Sequence, residues 1–375
     1  MRKSLNRREL AGAVGLIVLF SLMATRPAQA APLAQAATPA PLTSDPCLAC
    51  HAAPDQTMTL RSGEPLYITI DGEAFASALH GEAGVTCADC HAAITAYPHE
   101  PLTENNLRDV TVNFSQTCRR CHSDQAAKNM DSVHQKIRDG GGVNASNAAA
   151  CADCHNPHYT QPPAQPRSTI AVTCGRCHSG IAQEYRESVH GNQLINEDNP
   201  DVPVCTDCHG VHTIADPRTN RFLLNSPQLC ATCHTNKGRM SQYGINTDVL
   251  NTYVADFHGT TVTLFEQQSP DQLPNKPLCI DCHGVHNIKA VTDAGSTVIK
   301  QNLLATCQKC HSNAAANFPD AWLSHYAPSP DHYPMVYYVQ LFYRIFIPTV
   351  IGGMALFVVV DAGRRISRRV KGGAK

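Results

Sequence analysis

The sequence predicts a mainly α-helical protein with extensive loops, built from repeated units and followed by one C-terminal transmembrane helix. Three observations predict this fold class: a nine-fold cysteine motif, a repeating order of histidines, and a long apolar segment near the C-terminus. The motif is Cys-x-x-Cys-His, and it uses all 18 cysteines of the 375-residue chain. Its cysteine pairs are Cys47/Cys50, Cys87/Cys90, Cys118/Cys121, Cys151/Cys154, Cys174/Cys177, Cys205/Cys208, Cys230/Cys233, Cys279/Cys282 and Cys307/Cys310.

The spacing Cys-x-x-Cys-His is the attachment signature of c-type haem. The two thiols form thioethers with the porphyrin, and the adjacent imidazole binds the iron from one side. A disulfide framework would not explain the histidine after every pair, and zinc ribbons need such motifs in even number. A redox dithiol would explain one copy. The sequence therefore predicts nine covalently bound haems, with proximal ligands His51, His91, His122, His155, His178, His209, His234, His283 and His311.

The remaining histidines follow a repeating order, which indicates a repeated structural unit. Each unit has a motif, a lone histidine, a second motif and one further histidine, and the chain holds four units and the start of a fifth. We predict these nine further histidines as distal iron ligands, against the alternative of ordinary surface or core histidines. They are His80, His99, His134, His158, His190, His212, His258, His286 and His325.

These counts define the predicted fold more closely, as a multihaem cytochrome c made of repeated dihaem units. Porphyrins would replace apolar side chains as the core, so ordinary size rules for cores do not apply. One histidine, His332, is left over. Met58, Met130 and Met240 are alternative axial ligands, although none lies at a repeated position.

Three distal candidates follow a motif histidine by only three residues. His158 follows His155 in this way, and His212 and His286 follow the motifs before them. A side chain so close to the proximal ligand cannot easily reach the opposite side of the same iron. We therefore expect each to serve a different haem and to bring two haems close together.

Regular structure is expected to be sparse outside short helices at the motifs. Residues 66–70 are β-prone and precede Asp71-Gly72, which predicts a strand and a turn. Loops are expected at residues 140–142 and 161–163. Four aromatic residues are expected to pack on haems: Phe114, Phe222, Tyr253 and Trp322.

The N-terminus has the features of a secretory signal. Residues 1–30 contain basic residues, the apolar stretch Ala11–Ala24 and a small-residue cleavage site at Ala28–Ala30. Residues 31–46 are rich in Ala and Pro and are predicted to be a linker. Export agrees with the motif chemistry, because haem of this type is attached outside the cytoplasm.

The C-terminus carries an apolar segment, Met335–Val360, long enough to span a bilayer. We predict a transmembrane helix at 334–362 and a basic cytoplasmic tail at 363–375, which leaves the haem domain, 47–333, on the periplasmic face of a bacterial cytoplasmic membrane. A buried core helix is the alternative. Arg344 lies nine residues into the span, where it either snorkels to the surface or pairs with a carboxylate of a partner or a propionate.

The charge of the exported part argues against one class of partner. Residues 31–333 contain 18 basic and 29 acidic residues, a formal charge of −11. Such an acidic domain is a poor candidate for binding nucleic acid. It would instead steer a basic redox partner into a transient encounter.

The chain resembles the exported multihaem c-type cytochromes. The resemblance covers most of residues 47–360 and lies in Ser188–Gly191, in Cys205 to His212, in Cys87 to His99 and in Trp322–Tyr326 before a single membrane helix. Such proteins are commonly partnered with a membrane cytochrome b that handles quinone. The resemblance implies electron flow between a quinone-reactive membrane subunit and exported redox proteins.

Two functions remain open from the sequence. The first is a membrane-anchored electron conduit whose irons are all bis-histidine. The second is a multihaem oxidoreductase with one open haem that acts on a small nitrogen or sulfur compound, in which His99 or His325 would not be a ligand. Cys-x-x-Cys-Lys, often found at the catalytic haem of ammonia-forming nitrite reductases, does not occur in this sequence.

Overall fold

The computed structural model of the chain describes residues 45–272 and 275–372, so the predicted signal peptide and nearly all of the predicted linker lie outside it. The described residues form twenty α-helices and one two-stranded sheet. The helices are α1 Leu48–His51, α2 Gly72–Ala76, α3 Leu79–Glu82, α4 Cys87–Cys90, α5 Leu107–Ser115, α6 Ser123–Met130, α7 Val133–Gly140, α8 Cys151–Cys154, α9 Thr169–Gly175, α10 Ser179–Glu187, α11 Val189–Glu197, α12 Cys205–His209, α13 Asn220–Leu224, α14 Ser226–His234, α15 Lys237–Met240, α16 Val249–Ala255, α17 Phe257–Gln268, α18 Cys279–His283, α19 Lys300–Gln308 and α20 Pro334–Gly372.

The sheet lies near the N-terminal end of the described chain. Strands β1, Thr57–Thr59, and β2, Pro65–Tyr67, pair antiparallel, with Met58 opposite Leu66. The predicted strand at 66–70 was thus too long, and the predicted turn at Asp71-Gly72 was wrong. Asp71 instead caps α2, because its carboxylate accepts two backbone N–H groups of the first helical turn.

The second motif of each unit lies on a short helix with a common local cause. The residue before its second cysteine is an aspartate, and the carboxylate accepts the backbone N–H of the residue before the first cysteine. These bonds run from Thr86 to Asp89 (2.8 Å), from Ala150 to Asp153 (2.6 Å), from Val204 to Asp207 (2.7 Å) and from Leu278 to Asp281 (2.7 Å). The motif helix is therefore capped by its own sequence.

Successive units are joined by a repeated backbone hydrogen bond. In each case the N–H group of the residue before a lone histidine bonds to a carbonyl two residues after the last histidine of the next unit. The bonds run from Leu79 to Thr160 (3.0 Å), from Val133 to Ile214 (2.8 Å) and from Val189 to Ile288 (2.8 Å). The repeat is thus a structural unit that contacts the next unit along the chain through its backbone.

Buried apolar side chains form small clusters between the motif helices. One cluster contains Leu224, Tyr253, Val262 and Leu278, and another contains Leu194, Val202 and Val204. Clusters of this size leave the motif cysteines and histidines facing the space between helices, as expected for a core shared with porphyrins.

Helix α20 stands apart from this arrangement. It is long and apolar enough to cross a membrane, and none of its most apolar stretch is buried against the rest of the described chain. It is therefore not a core helix of those residues. The helix also continues through the arginine-rich segment to Gly372, past the predicted end of the span at 362.

Glycine follows the lone histidine in three units because the backbone there approaches the preceding helix. A Cβ atom at Gly191 would lie 1.9 Å from the carbonyl oxygen of Tyr185. At Gly81 and Gly259 the equivalent distances are 2.2 and 2.1 Å. The second unit has Gln135 at this position, so its backbone accommodates a side chain.

We expect Gly191→Ala to destabilise the fold by about 3 kcal/mol or more, because a backbone carbonyl cannot move aside as a side chain can. Gly180→Ala, in α10, is the matched control: nothing lies within 4 Å of its Cβ position, so the substitution should be neutral or slightly stabilising. Denaturant unfolding of the two variants measures the difference. Equal stability of both variants would contradict the close approach at Gly191.

Candidate haem sites

Every motif histidine faces one histidine from outside the motifs. The centres of the two imidazole rings lie between 6.0 and 6.4 Å apart in all nine pairs. The pairs, with the motif histidine first, are His51–His99, His91–His158, His122–His80, His155–His212, His178–His134, His209–His286, His234–His190, His283–His325 and His311–His258.

This separation fits one metal ion between two imidazoles. A metal–imidazole bond is about 2 Å long, and roughly 1 Å more separates each nitrogen from its ring centre, which gives about 6 Å between the ring centres. Direct packing of aromatic rings permits shorter distances, from about 4.5 Å. The narrow range across nine pairs indicates that a common group fits between them, and the adjacent cysteine pairs have the attachment spacing of a c-type haem.

The pairs follow one rule along the chain. The last histidine of a unit faces the second motif of the unit before it, as His158 faces His91 and His212 faces His155. The lone histidine of a unit faces the first motif of the unit after it, as His134 faces His178. Each unit thus supplies imidazoles to both neighbours.

The two ends of the array close this pattern. The first motif has no preceding unit, and its His51 faces His99 of its own unit at 6.0 Å. At the other end the half unit supplies His325, which faces His283 at 6.1 Å. Four units and a half therefore leave no motif histidine without a facing imidazole.

Several imidazoles are oriented through their Nδ1 atoms. His51 Nδ1 lies 2.9 Å from the carbonyl oxygen of Ile68, and His80 Nδ1 lies 3.2 Å from that of Pro157. His258 Nδ1 lies 3.1 Å from a carboxylate oxygen of Asp256, which also caps its helix. A hydrogen bond donated by Nδ1 directs the Nε2 lone pair away from it, the orientation that a metal ligand needs.

Burial keeps several of the paired histidines neutral. It lowers the pKa of His190 to about 4, with the neighbouring His234 as a smaller cause. The pKa values of His158, His283 and His325 are lowered as well, chiefly by burial. These imidazoles are therefore in the neutral form that binds metals at pH 7.

The two motifs of a unit meet at their first cysteines. The thiols of Cys118 and Cys151 lie beside one another, and the interaction with Cys118 lowers the pKa of Cys151. The pairs Cys174/Cys205 and Cys230/Cys279 are arranged in the same way. In the first unit, ligand atoms of Asp45, Cys47 and Cys87 lie within 4.8 Å of one another, and since both cysteines belong to motifs, this group is part of the haem sites.

Neighbouring units approach one another at the second motif of the earlier unit, through the second cysteine of that motif. The thiols of Cys90 and Cys121 lie close enough to influence one another electrostatically. The same holds between Cys154 and Cys174, between Cys208 and Cys230, and between Cys282 and Cys307. Cysteine pairs within units and cysteine pairs between units therefore alternate along the chain. Together they place the nine motifs in one series that follows their order in the sequence.

The second cysteines of the motifs are mostly exposed. Seven of the 18 cysteines are exposed: Cys50, Cys90, Cys121, Cys154, Cys177, Cys208 and Cys310. The attachment of Cys50 and Cys177 to haem, like that of the other motif cysteines, is a prediction from the motif spacing.

The backbone nevertheless holds these two cysteines in the turn that the other motifs adopt. The N–H group of Cys50 donates to the carbonyl of Cys47 at 3.2 Å, and that of Cys177 donates to the carbonyl of Cys174 at 3.3 Å. The equivalent bond at Cys121 is 3.3 Å long. Cys50 and Cys177 thus share the backbone conformation of the equivalent motif at Cys121.

Aromatic rings pack beside the motif histidines. The Phe114 ring lies 5.2 Å from His91, Phe222 lies 5.4 Å from His209, and Trp322 lies 6.0 Å from His258. Phe318, which sequence reasoning missed because its position is not repeated, lies 5.0 Å from His311. Tyr253 lies in an apolar cluster, where its hydroxyl donates to the carbonyl of Pro277, and its contact with a haem stays a prediction.

The leftover histidine and the methionines have other surroundings. His332 stacks on Tyr326 with ring centres 4.6 Å apart, a distance too short for a metal between the rings. Met58 lies in β1, Met130 is half exposed, and Met240 is buried. Since each motif histidine already faces an imidazole, the described arrangement gives these methionines no iron to bind.

Comparison with known proteins agrees with this geometry. Residues 70–140 match the family cytochrome c552, and residues 144–235 match the family cytochrome c3. The multiheme cytochrome MtrA of Shewanella baltica (strain OS185) is 23% identical over 300 residues, which cover 76% of this chain and 81% of the relative. No solved structure matches the chain.

The helical fold, the motifs and these matches define the class of the protein as a cytochrome c that carries several haems. The chain belongs to the multihaem c-type cytochromes.

Proposed function

We propose that each of the nine motifs holds one haem and that each iron lies between the motif histidine and the histidine that faces it. The observation that carries this proposal is the set of nine ring pairs at 6.0–6.4 Å, which uses all nine motif histidines and all nine distal candidates once. Thioether bonds to the 18 motif cysteines, the exposed Cys50 and Cys177 included, would complete the attachment.

The function that this arrangement supports best is electron conduction. A haem iron with two imidazole ligands exchanges electrons but offers no position to a substrate. The protein supplies position and environment: Nδ1 hydrogen bonds orient several of the ligands, and burial keeps several of them neutral. Consecutive motifs lie side by side along the chain, which is the arrangement that electron transfer along a series of haems requires.

An oxidoreductase would need one iron with an open side. The two histidines suspected from sequence, His99 and His325, each face a motif histidine, at 6.0 and 6.1 Å. No observation on the described residues therefore favours catalysis on a small nitrogen or sulfur compound, and we propose the conduit alone.

Helix α20 would anchor one end of the conduit in a bacterial cytoplasmic membrane. Its arginine-rich C-terminal part belongs on the cytoplasmic side, which leaves the haem domain on the periplasmic face. The ninth motif, at Cys307 and Cys310, is the nearest in sequence to this helix. We propose that electrons enter or leave there, through a membrane cytochrome b or another quinone-reactive subunit, and that exported redox proteins meet the other end.

His212→Ala tests the pairing of ligands with haems. We expect one high-spin iron per chain in electron paramagnetic resonance, because His212 faces His155 and its loss opens the iron held at Cys151 and Cys154. The control His332→Ala should leave the spectrum unchanged, since its ring stacks on Tyr326.

A combined variant identifies the haem that is affected. With Cys205→Ala and Cys208→Ala in the same chain, the haem nearest to His212 in sequence is absent. Adding His212→Ala should still produce a new high-spin signal. Absence of that new signal would mean that His212 serves the motif just before it and would refute the cross-unit pairing.

Deletion of residues 334–375 tests the anchor. The shortened chain should be released in soluble form with its haem content unchanged, because α20 makes up the whole apolar stretch and none of that stretch is buried against the other described residues. Deletion of 363–375 alone is the control and should leave the chain in the membrane fraction. Tight membrane association of the longer deletion would contradict anchoring by a single helix.

A further inference from the structure

A basic side chain lies at each place where one unit meets the next. In three of the four cases this side chain belongs to the first motif of the following unit, where it stands directly before the second cysteine: Arg120, Arg176 and Lys309. Each donates to the backbone carbonyl of the aspartate in the preceding motif. Arg120 bonds to Asp89, Arg176 Nη2 to Asp153 at 2.6 Å, and Lys309 Nζ to Asp281 at 3.5 Å.

The remaining junction obtains its cation from another position. The motif at Cys230 has Thr232 before its second cysteine, and no basic residue stands there. Arg239, six residues further along the chain, places Nη1 2.9 Å from the sulfur of Cys233. The guanidinium also lies 3.6 Å from a carboxylate oxygen of Asp201, so its charge is partly balanced. We call Arg120, Arg176, Arg239 and Lys309 the junction cations.

The position of these cations matters because of what lies beside them. Arg176 directly precedes Cys177 of its own motif, and it bonds to the carbonyl of Asp153, the residue before Cys154 of the preceding motif. Arg120 and Lys309 hold the same position in their motifs and make the same bond at their junctions. At these three junctions the cation therefore lies beside attachment points of both motifs.

The charge of Arg176 is not cancelled by the nearby aspartate. The Asp153 carboxylate accepts the N–H group of Ala150 and forms an ion pair with Arg108 at 2.7 Å. Arg176 reaches only the carbonyl oxygen of Asp153, and no carboxylate of the described chain lies within 4 Å of its guanidinium. The side chain thus brings a net positive charge to the junction.

We propose that the junction cations raise the reduction potentials of the haems on either side of each junction. A haem that gains an electron loses one unit of positive charge, so a fixed cation beside it stabilises the reduced form. No proton needs to move, because the cation keeps its charge throughout. This inference rests on the proposed attachment of nine haems, and it assigns to these residues the tuning of electron passage between units.

Arg176→Gln, in the full-length chain with its haems, is the direct test. The glutamine amide can still donate to the Asp153 carbonyl, so the substitution removes the charge and keeps a donor in place. We expect the ratio of reduced to oxidised haem at fixed potential to fall about threefold or more for the haems at this junction, a shift of about 28 mV on a scale of 59 mV per tenfold change. Arg176→Lys, which keeps the charge, should retain the wild-type potentials. Lys309→Gln should repeat the effect at the last junction.

Spectroelectrochemical titration measures the potentials, and intact mass reports the haem content. Arg61→Gln is the matched control: it removes the same charge from an exposed loop beside the sheet and should leave the potentials unchanged. The proposal is overturned if Arg176→Gln and Lys309→Gln keep their haems with the potentials of the control. It is also overturned if both variants lose haem, because the residues are then structural. A wild-type chain without nine haems would instead refute the proposed function.

Discussion

The contact between imidazoles of different units is the constraint on which the rest of this structure depends. Each unit after the first contains motif histidines that face imidazoles of its neighbours, as His178 faces His134 of the preceding unit. In a protein with small apolar clusters, these pairs and the groups they hold would supply much of the energy that ordinary cores obtain from side chains. We therefore expect the array to fold as one body.

Local features of the chain serve this constraint. The aspartates of the second motifs cap short helices and present cysteine and histidine in a fixed orientation. The glycine after a lone histidine lets two backbones approach, which brings that histidine to its partner. The backbone bonds from Leu79 and Val189 to the next unit fix the position of two of these histidines, His80 and His190, from the other side. Each of these devices is local, yet its result is a contact between units.

Much of the site could be predicted from the sequence because its chemistry is written in short motifs. The nine motif histidines and the nine partners were recognisable from spacing and count. Which partner faces which motif could not be predicted, since the answer depends on contacts between residues as distant as His209 and His286. The junction cations were missed, although one signal was visible in the residue before the second cysteine. This residue is aspartate in the second motif of each unit, whereas three of the first motifs have a basic residue there: Arg120, Arg176 and Lys309.

The motif spacing also hides differences between the cysteines. All 18 look equivalent in the sequence, yet seven of them, Cys50 and Cys177 included, are exposed and the other eleven are partly buried. Which cysteines meet depends on how neighbouring units pack, as Cys154 and Cys174 do at one junction. A repeat of five residues carries no information about that packing.

The errors of prediction came from local alternatives that look alike in a sequence. Asp71-Gly72 suits a turn, but the same aspartate also suits a helix cap, and the helix that follows decided the outcome. The expected packing of Tyr253 on a haem stays a prediction; its hydroxyl donates to a backbone carbonyl, and its side chain lies in an apolar cluster. The outcome at Asp71 depended on the residues that follow it, and the two local signals alone do not decide between turn and cap.

The spin state of the unmodified, oxidised chain tests the central claim most directly. If every iron lies between two imidazoles, electron paramagnetic resonance should show low-spin ferric haem alone, in a chain whose intact mass exceeds that of the processed polypeptide by nine haems. A high-spin ferric signal that integrates to one or more irons per chain, or a mass that corresponds to fewer haems, would contradict the account.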